Sequence, residues 1–281
     1  MSRKTKAILF DLNGTLIHQV RTEKSHIAST YAVLALHHWE ITFEQFETAW
    51  KKVHADHAEN WSKGHQLLLS GEWQAARTFL REPRYRENIA AILTELPAQS
   101  SNRLIEEITW AFQDSWVGGL TMAEETPEIL NNLKAAGHQL GVVTNFQQPD
   151  IIPDIIDQFD LMGFFDTVVV SATEGYRKPH PDLFRKALGD LGLSSESHAV
   201  IYVGDDPVDD IQGALFAGLK PILIGNKVAN QESTISVLRI NDLDELPLFL
   251  VTLEHCSNQR NYQWRYALSS SGIRGGVYEN A

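Results

Sequence analysis

Four short polar clusters hold the side chains through which this sequence could do chemistry. They are Asp11-Leu12-Asn13-Gly14-Thr15, Thr144-Asn145, Arg177-Lys178-Pro179 and Gly204-Asp205-Asp206-Pro207-Val208-Asp209-Asp210. A carboxylate such as Asp11 can attack an electrophilic centre and form a covalent intermediate. The hydroxyl of Thr144 and the amide of Asn145 can hold the oxygens of a transferring group. Lys178 brings a compact positive charge, set in a backbone restricted by Pro179 and Pro181. The crowded aspartates of the fourth cluster repel one another unless a cation lies among them. Mg²⁺ is suited to such a place, since it takes one or two carboxylates and completes its shell with other oxygens.

The elements around these clusters follow one rule. Each cluster but the third comes directly after an apolar run: Ala7-Ile8-Leu9-Phe10 before Asp11, and runs at 140–144 and 199–203 before the second and fourth. With 167–171 and 221–224 these read as strands, and helical patterns alternate with them. Such alternation predicts βαβ units in a Rossmann-like parallel sheet, an α/β core. Right-handed crossovers carry all strand C-termini to one edge, where ligands bind in an open sheet. Gly14 lets the chain turn tightly beneath Asp11.

Between the first strand and the rest lie about a hundred residues with no strand pattern. Thr42-Phe43-Glu44-Gln45 is a capping-box sequence, and it opens a stripe of Phe43, Phe46, Trp50, Val53, His57 and Trp61 at helical steps. Thr126-Pro127 marks another helix start, with Thr126 at the N-cap, and Gly137 its stop. The predicted organisation is an α/β core from 1–17 and 120–253, an α-helical insert from 18–119, and a polar, glycine-bearing C-terminal tail from 254–281 with little core of its own.

Composition excludes several roles. The formal charge is −12, so no basic excess exists to neutralise a nucleic-acid backbone. No apolar run approaches the ~18 residues of a membrane span, and the first apolar run is too short for a signal peptide. The single cysteine, Cys256, cannot form an internal disulfide, which fits a reducing cytoplasmic setting.

In order and spacing the four clusters resemble the motifs of the haloacid dehalogenase (HAD) superfamily, in the subgroup with an α-helical cap after the first motif. The resemblance covers residues 5–17 and about 120–253. It implies a Mg²⁺-dependent phosphatase acting on a small phosphorylated molecule. Asp11 would be the nucleophile that becomes transiently phosphorylated. Thr144, Asn145 and Lys178 would hold the phosphoryl group. Asp11, the backbone carbonyl of Asn13, Asp205 and Asp210 would hold the metal, Asp210 through water. Asp209 is expected to cap the helix that follows, Arg177 to be exposed, and the insert to close over the substrate.

Asn13 departs from the pattern, because phosphatases of the superfamily carry a second aspartate there, which protonates the leaving alcohol. An amide donates a hydrogen bond but carries no proton to give. General acid–base catalysis is worth ~10²–10⁴ in rate. The sequence therefore leaves open a slowed or leaving-group-selective phosphatase, a phosphate-binding or regulatory protein without turnover, another HAD reaction, or conversion of Asn13 to Asp by deamidation at Asn13-Gly14. The dehalogenase branch also lacks that aspartate, but it carries tyrosine there and again where this chain has Phe184, and its fourth motif lacks such dense acids.

In the insert, His54 and His57 stand three apart on a helix, but packing and exposure are the expected state of the histidines. Trp39, Trp50, Trp61 and Trp73 are expected to be core rather than substrate-stacking residues. Arg21 is a candidate for steering an anion.

Overall fold

Every residue of Ala7–Phe10 is buried, which is what a strand covered on both faces requires. The computed structural model describes residues 5–194, 197–225, 237–258, 262–269 and 272–280. In chain order it contains β1 (Ala7–Phe10), β2 (His18–Gln19), α1 (Glu23–His37), α2 (Phe43–Leu69), α3 (Trp73–Phe79), α4 (Tyr85–Thr94), α5 (Asn102–Val117), β3 (Leu120–Thr121), α6 (Thr126–Ala135), β4 (Gln139–Thr144), α7 (Ile152–Gln158), β5 (Thr167–Val170), α8 (Ser171–Glu174), α9 (Pro181–Asp190), β6 (Val200–Gly204), α10 (Gly213–Phe216), β7 (Lys220–Ile224), β8 (Leu238–Ile240), α11 (Leu246–Asn258), β9 (Tyr262–Ser269) and β10 (Gly272–Asn280).

Six strands form one parallel sheet in the order β5-β4-β1-β6-β7-β8. β1 lies inside it, with Phe10 opposite Val142 of β4 on one side and Val203 of β6 on the other. Residues alternate between the two faces, as the pleat demands. Ile8, Phe10, Leu140, Val142, Ile201 and Val203 pack with Leu130 and Leu133 of α6, Ile155 of α7 and Leu246 of α11. Ala7, Leu9, Val143, Val200 and Tyr202 face Leu183, Phe184, Ala187 and Leu188 of α9 and Ala214 of α10. The molecule is thus an α/β, Rossmann-like layered fold.

The five expected strands are present with ends shifted by no more than one residue. The edge strand β8 and the two-residue ribbon β2–β3 are additional. Each is too short to show a period, and Leu238-Arg239-Ile240 carries a charge at its centre. α6 begins at Thr126 itself, with Glu125 at the N-cap, so that start falls one residue earlier than expected.

Helices α1–α5 lie between the ribbon strands β2 and β3, which pair His18 with Thr121 and Gln19 with Leu120. They carry an apolar core of their own, including Ile27, Leu34, Phe46, Trp50, Tyr85, Ile89 and Ile108. The expected capping box is formed: Thr42 accepts from Gln45 N while Gln45 accepts from Thr42 N. Of the four tryptophans expected in this core, Trp50 is there. Trp39 is 86% exposed, and Trp61 and Trp73 turn toward the sheet domain.

The segment expected as a tail, 254–281, contains regular elements. α11 continues to Asn258, and β9 and β10 pair as an antiparallel hairpin. Its register shifts between Arg274 and Val277, a bulge at Gly275-Gly276 that hides the strand period. Among the described residues, no helix is long and apolar enough to cross a membrane.

Candidate active site

The parallel sheet brings three strand ends together. Asp11 follows β1, Thr144 ends β4 and Asp205 follows β6. Asp11 N donates to Val203 O at 2.9 Å, so the ladder extends one step past β1 and fixes the Asp11 backbone. Gly14 has φ +97°, and a Cβ there would stand 2.5 Å from Asp205 Oδ2. Glycine is needed both for that backbone and for the approach of the two loops. A Cβ on Gly204 would likewise meet the Asp210 carboxylate, at 2.5 Å from Oδ2.

Lys178 reaches this centre from the loop before α9 and is 2% exposed. Its Nζ donates to Asp11 Oδ1 at 2.8 Å, Asp210 Oδ1 at 2.6 Å and Tyr202 Oη at 3.0 Å. An ammonium has three protons, and all three find acceptors. Tyr202 Oη lies 3.0 Å from Val143 O and 2.9 Å from Asp210 Oδ1, either of which can accept its proton. Asp210 Oδ2 accepts from Asp206 N at 2.9 Å. Asp210 therefore holds both Lys178 and its own loop.

Burial pushes the Asp11 carboxyl up to about 7; the Asp210 carboxylate adds to this and Lys178 opposes it. Burial also disfavours the Lys178 ammonium, but Asp11 and Asp210 outweigh it and hold the lysine above its ordinary value. Lys178 thus stays charged at every working pH. Carboxylate oxygens of Asp11, Asp205 and Asp210 lie within 4.8 Å of one another, and all three residues are buried. Three carboxylates against one ammonium leave a formal charge of −2, which suits a divalent cation with oxygen ligands. The donor set therefore fits Mg²⁺, with Asp11, Asp205 and Asp210 as the acids that could face it.

Thr144 is 1% exposed at the β4 terminus. Asn145 lies against Lys178: its Oδ1 accepts from Lys178 N at 2.8 Å and its Nδ2 donates to Lys178 O at 3.3 Å. Asn145 thus grips the backbone of the lysine. Asn13 lies on the exposed side of its loop, and Gly14 N donates to Ile17 O at 2.6 Å.

Several expectations change here. Asp206, not Asp209, is the cap of the turn at Pro207–Gln212, accepting from Val208 N and Asp209 N. Asp209 instead pairs with Arg177 at 2.8 Å. The Arg177 side chain is only 15% exposed, because its guanidinium stacks 3.7 Å from the Trp61 ring. Arg21 donates to Ser115 O and serves the β2–α5 junction. His57 meets Asn88 Oδ1 and His54 meets Trp50 O, contacts within the insert of the packing kind expected for them. Sequence reasoning did not single out Tyr202 or Glu82. Tyr202 had a visible signal, a hydroxyl inside an apolar run three residues before Asp205. Glu82 had none, for its partners Ser171 and Gln147 lie more than sixty positions away.

Comparison with known proteins agrees with this architecture. The chain is 25% identical over 259 residues to the N-acylneuraminate-9-phosphatase of Homo sapiens, spanning 89% of this chain and 96% of that protein. Among solved structures, a HAD phosphatase from Thermococcus onnurineus superposes with a TM-score of 0.57 at 21% identity, covering 87% of this chain and 97% of that one. A 2-haloacid dehalogenase from Pseudomonas syringae pv. Tomato DC3000 does so with a TM-score of 0.56 at 22% identity, covering 88% and 99%. Residues 5–218, most of the chain, match the sequence profile described as haloacid dehalogenase-like hydrolase; the chain belongs to that family of hydrolases.

Proposed function

We propose that the protein is a Mg²⁺-dependent phosphoric monoester hydrolase acting on a small phosphorylated molecule through an aspartyl-phosphate on Asp11. The observation that carries this reading is the pairing of Asp11 with Lys178 at the end of the central strand, beside Asp205 and Asp210. The phosphatase name of the human relative supports it.

Asp11 attacks phosphorus; an oxygen–phosphorus bond forms to its carboxylate and the ester bond to the leaving oxygen breaks. Lys178 and Thr144 hold the non-bridging oxygens as charge shifts onto the leaving group. Water then attacks phosphorus, phosphate departs, and the Asp11 carboxylate is restored. Mg²⁺, held by Asp11, Asp205 and the Asn13 carbonyl, would supply charge neutralisation and orientation of the phosphate. Asp210 supports that site by fixing Lys178. Helices α1–α5 act as the cap that excludes water and selects the leaving group.

Asn13 favours a second reading, a phosphate-binding or regulatory protein whose turnover is lost. Its amide can steady the leaving oxygen but supplies no proton to an alkoxide. Dehalogenation fits less well. The chain as a whole superposes about equally well on both kinds of solved structure, but Phe184 is fully buried with its ring against Tyr202, and a cluster of three buried acids calls for a cation.

The test is Mg²⁺-dependent hydrolysis of an aryl phosphate by the native protein, Asn13→Asp and Asp11→Asn. Turnover by the native protein that Asp11→Asn abolishes is the expected result. Turnover by Asn13→Asp alone moves the binding reading ahead. Inertness of all three across a panel of esters contradicts the phosphatase reading.

A further inference from the structure

The loop that carries Lys178 is stitched to the helical insert. Arg177 N donates to Leu80 O at 2.9 Å and Glu82 N to Gly175 O at 3.2 Å, and Arg81 and Tyr176 form an antiparallel bridge. Three cations lie over rings across the same boundary: Arg77 over Tyr176 at 4.1 Å, Arg177 over Trp61 at 3.7 Å and Arg185 over Trp73 at 4.8 Å. In each pair one residue belongs to the insert and the other to the sheet domain.

Arg177 differs from the other two in what its guanidinium reaches. One nitrogen donates to Asp209 Oδ2 at 2.8 Å, and another stands 3.8 Å from Glu82 Oε2. Asp209 Oδ2 also accepts from Asn145 Nδ2 at 2.9 Å. Asn145 is the residue that grips the backbone N–H and C=O of Lys178. An unbroken line of contacts therefore runs from Trp61 on α2 through Arg177, Asp209 and Asn145 to Lys178. A guanidinium suits this task because its flat face takes the indole while its edge forks toward carboxylates.

The plain alternative is that these contacts only dock the insert. Docking alone needs no particular connection to Lys178, and Arg77 and Arg185 already supply it. Arg177 is the one of the three whose edge meets the side chains that fix the lysine backbone.

We propose that Arg177 is a positioning residue for Lys178, and that Trp61, by stacking on it, makes the placement of the lysine depend on the docked insert. This rests on the phosphoryl-holding role proposed for Lys178 above. Arg177 acts on the Lys178 backbone, directly through its Nε–H to Lys178 O at 3.4 Å and indirectly through Asp209 and Asn145, rather than on the substrate, so its loosening lowers kcat more than it raises KM.

The test uses the full chain with excess Mg²⁺ and compares the native protein with Trp61→Leu, Trp61→Phe and Arg177→Lys. Trp39→Leu, at an exposed site, is the control. kcat and KM for 4-nitrophenyl phosphate, calorimetric binding of inorganic phosphate, and Tm are measured for each. Misplacement of a group by about 1 Å can cost ~10²-fold. Trp61→Leu and Arg177→Lys are expected to lose about ten- to a hundredfold in kcat with little change in KM, and to bind phosphate more weakly. Trp61→Phe keeps an aromatic face and should retain most activity, which mere loss of packing volume does not explain. If Trp61→Leu fails to fold, Arg177→Lys decides, since it keeps the charge between Asp209 and Glu82 but loses the flat fork. Folded variants with native kcat and phosphate affinity contradict this proposal alone. A native protein that neither turns over nor binds phosphate contradicts the phosphoryl reading, and this proposal with it.

Discussion

Lys178 Nζ lies 2.8 Å from Asp11 Oδ1, although 167 positions separate the two residues. Both are almost fully buried, and Asp210 Oδ1 shares the same ammonium. Removing one partner of a buried pair leaves an uncompensated charge, at a cost of ~3–5 kcal/mol. Lys178→Met is therefore expected to lose activity and a comparable amount of stability in EDTA, read by chemical denaturation. Excess Mg²⁺ should recover part of that stability, because a second cation then serves the same carboxylates. An equal loss with and without Mg²⁺ contradicts a shared cation site.

Asn13 should make the rate sensitive to the leaving group. Replacement by Asp restores a proton donor, worth ~10²–10⁴ in rate for alkyl phosphates. Aryl and acyl phosphates depart without a proton, so their first step should gain less. Rates for a series of esters of graded leaving-group pKa measure this. A uniform gain across the series contradicts the assignment of the missing proton to Asn13.

The same loop bears on deamidation. Conversion of Asn13 begins with attack by the Gly14 nitrogen, and that N–H is engaged with Ile17 O at 2.6 Å. The folded protein is expected to keep its amide on storage, and peptide mapping by mass spectrometry checks it. Accumulation of Asp or isoaspartate at residue 13 in the folded protein would show that the hydrogen bond does not protect it.

Three histidines give the fold an acid limit. Burial lowers the pKa of His26, and Arg21 adds to the effect; burial is also the main cause of the lowering at His54 and His180. His180 Nε2 donates to Trp73 O while its Nδ1 accepts from Asp182 N, an arrangement that needs the neutral ring. The folded pKa values lie below the unfolded value of about 6.5, so the unfolded chain takes up protons first. Stability from these groups is complete above about pH 6.5 and is lost as pH falls through their folded values. Asp11 and Asp209, both raised by burial, work in the opposite direction, so the quantity to follow from pH 8 to 5, with excess Mg²⁺, is the Tm of the native protein less that of His54→Gln. A difference that grows toward pH 5 contradicts this sign.

Much of the site was legible because it lies at the ends of strands. Asp11, Thr144 and Asp205 each follow an apolar run, and the parallel connection brings such ends to one edge without further information. The Lys178 loop was legible from its motif and its flanking prolines. What could not be read depends on where the insert sits. Arg177 looked like a surface residue because Trp61 and Glu82, which cover it, are far away in sequence. The cap falls on Asp206 rather than Asp209 because capping depends on the turn at Pro207, and any acid nearby fits the pattern. The hairpin β9–β10 was hidden by the paired glycines at its bulge.

Trapping the covalent intermediate tests the central claim most directly. The native protein is mixed with an acyl or aryl phosphate and Mg²⁺, quenched in acid, and digested for peptide mass spectrometry. One phosphoryl group is expected on the peptide containing Asp11, absent in EDTA and in Asp11→Asn, and shorter-lived in Asn13→Asp. Mg²⁺-dependent turnover without label on Asp11, or with label on another residue, would contradict the account.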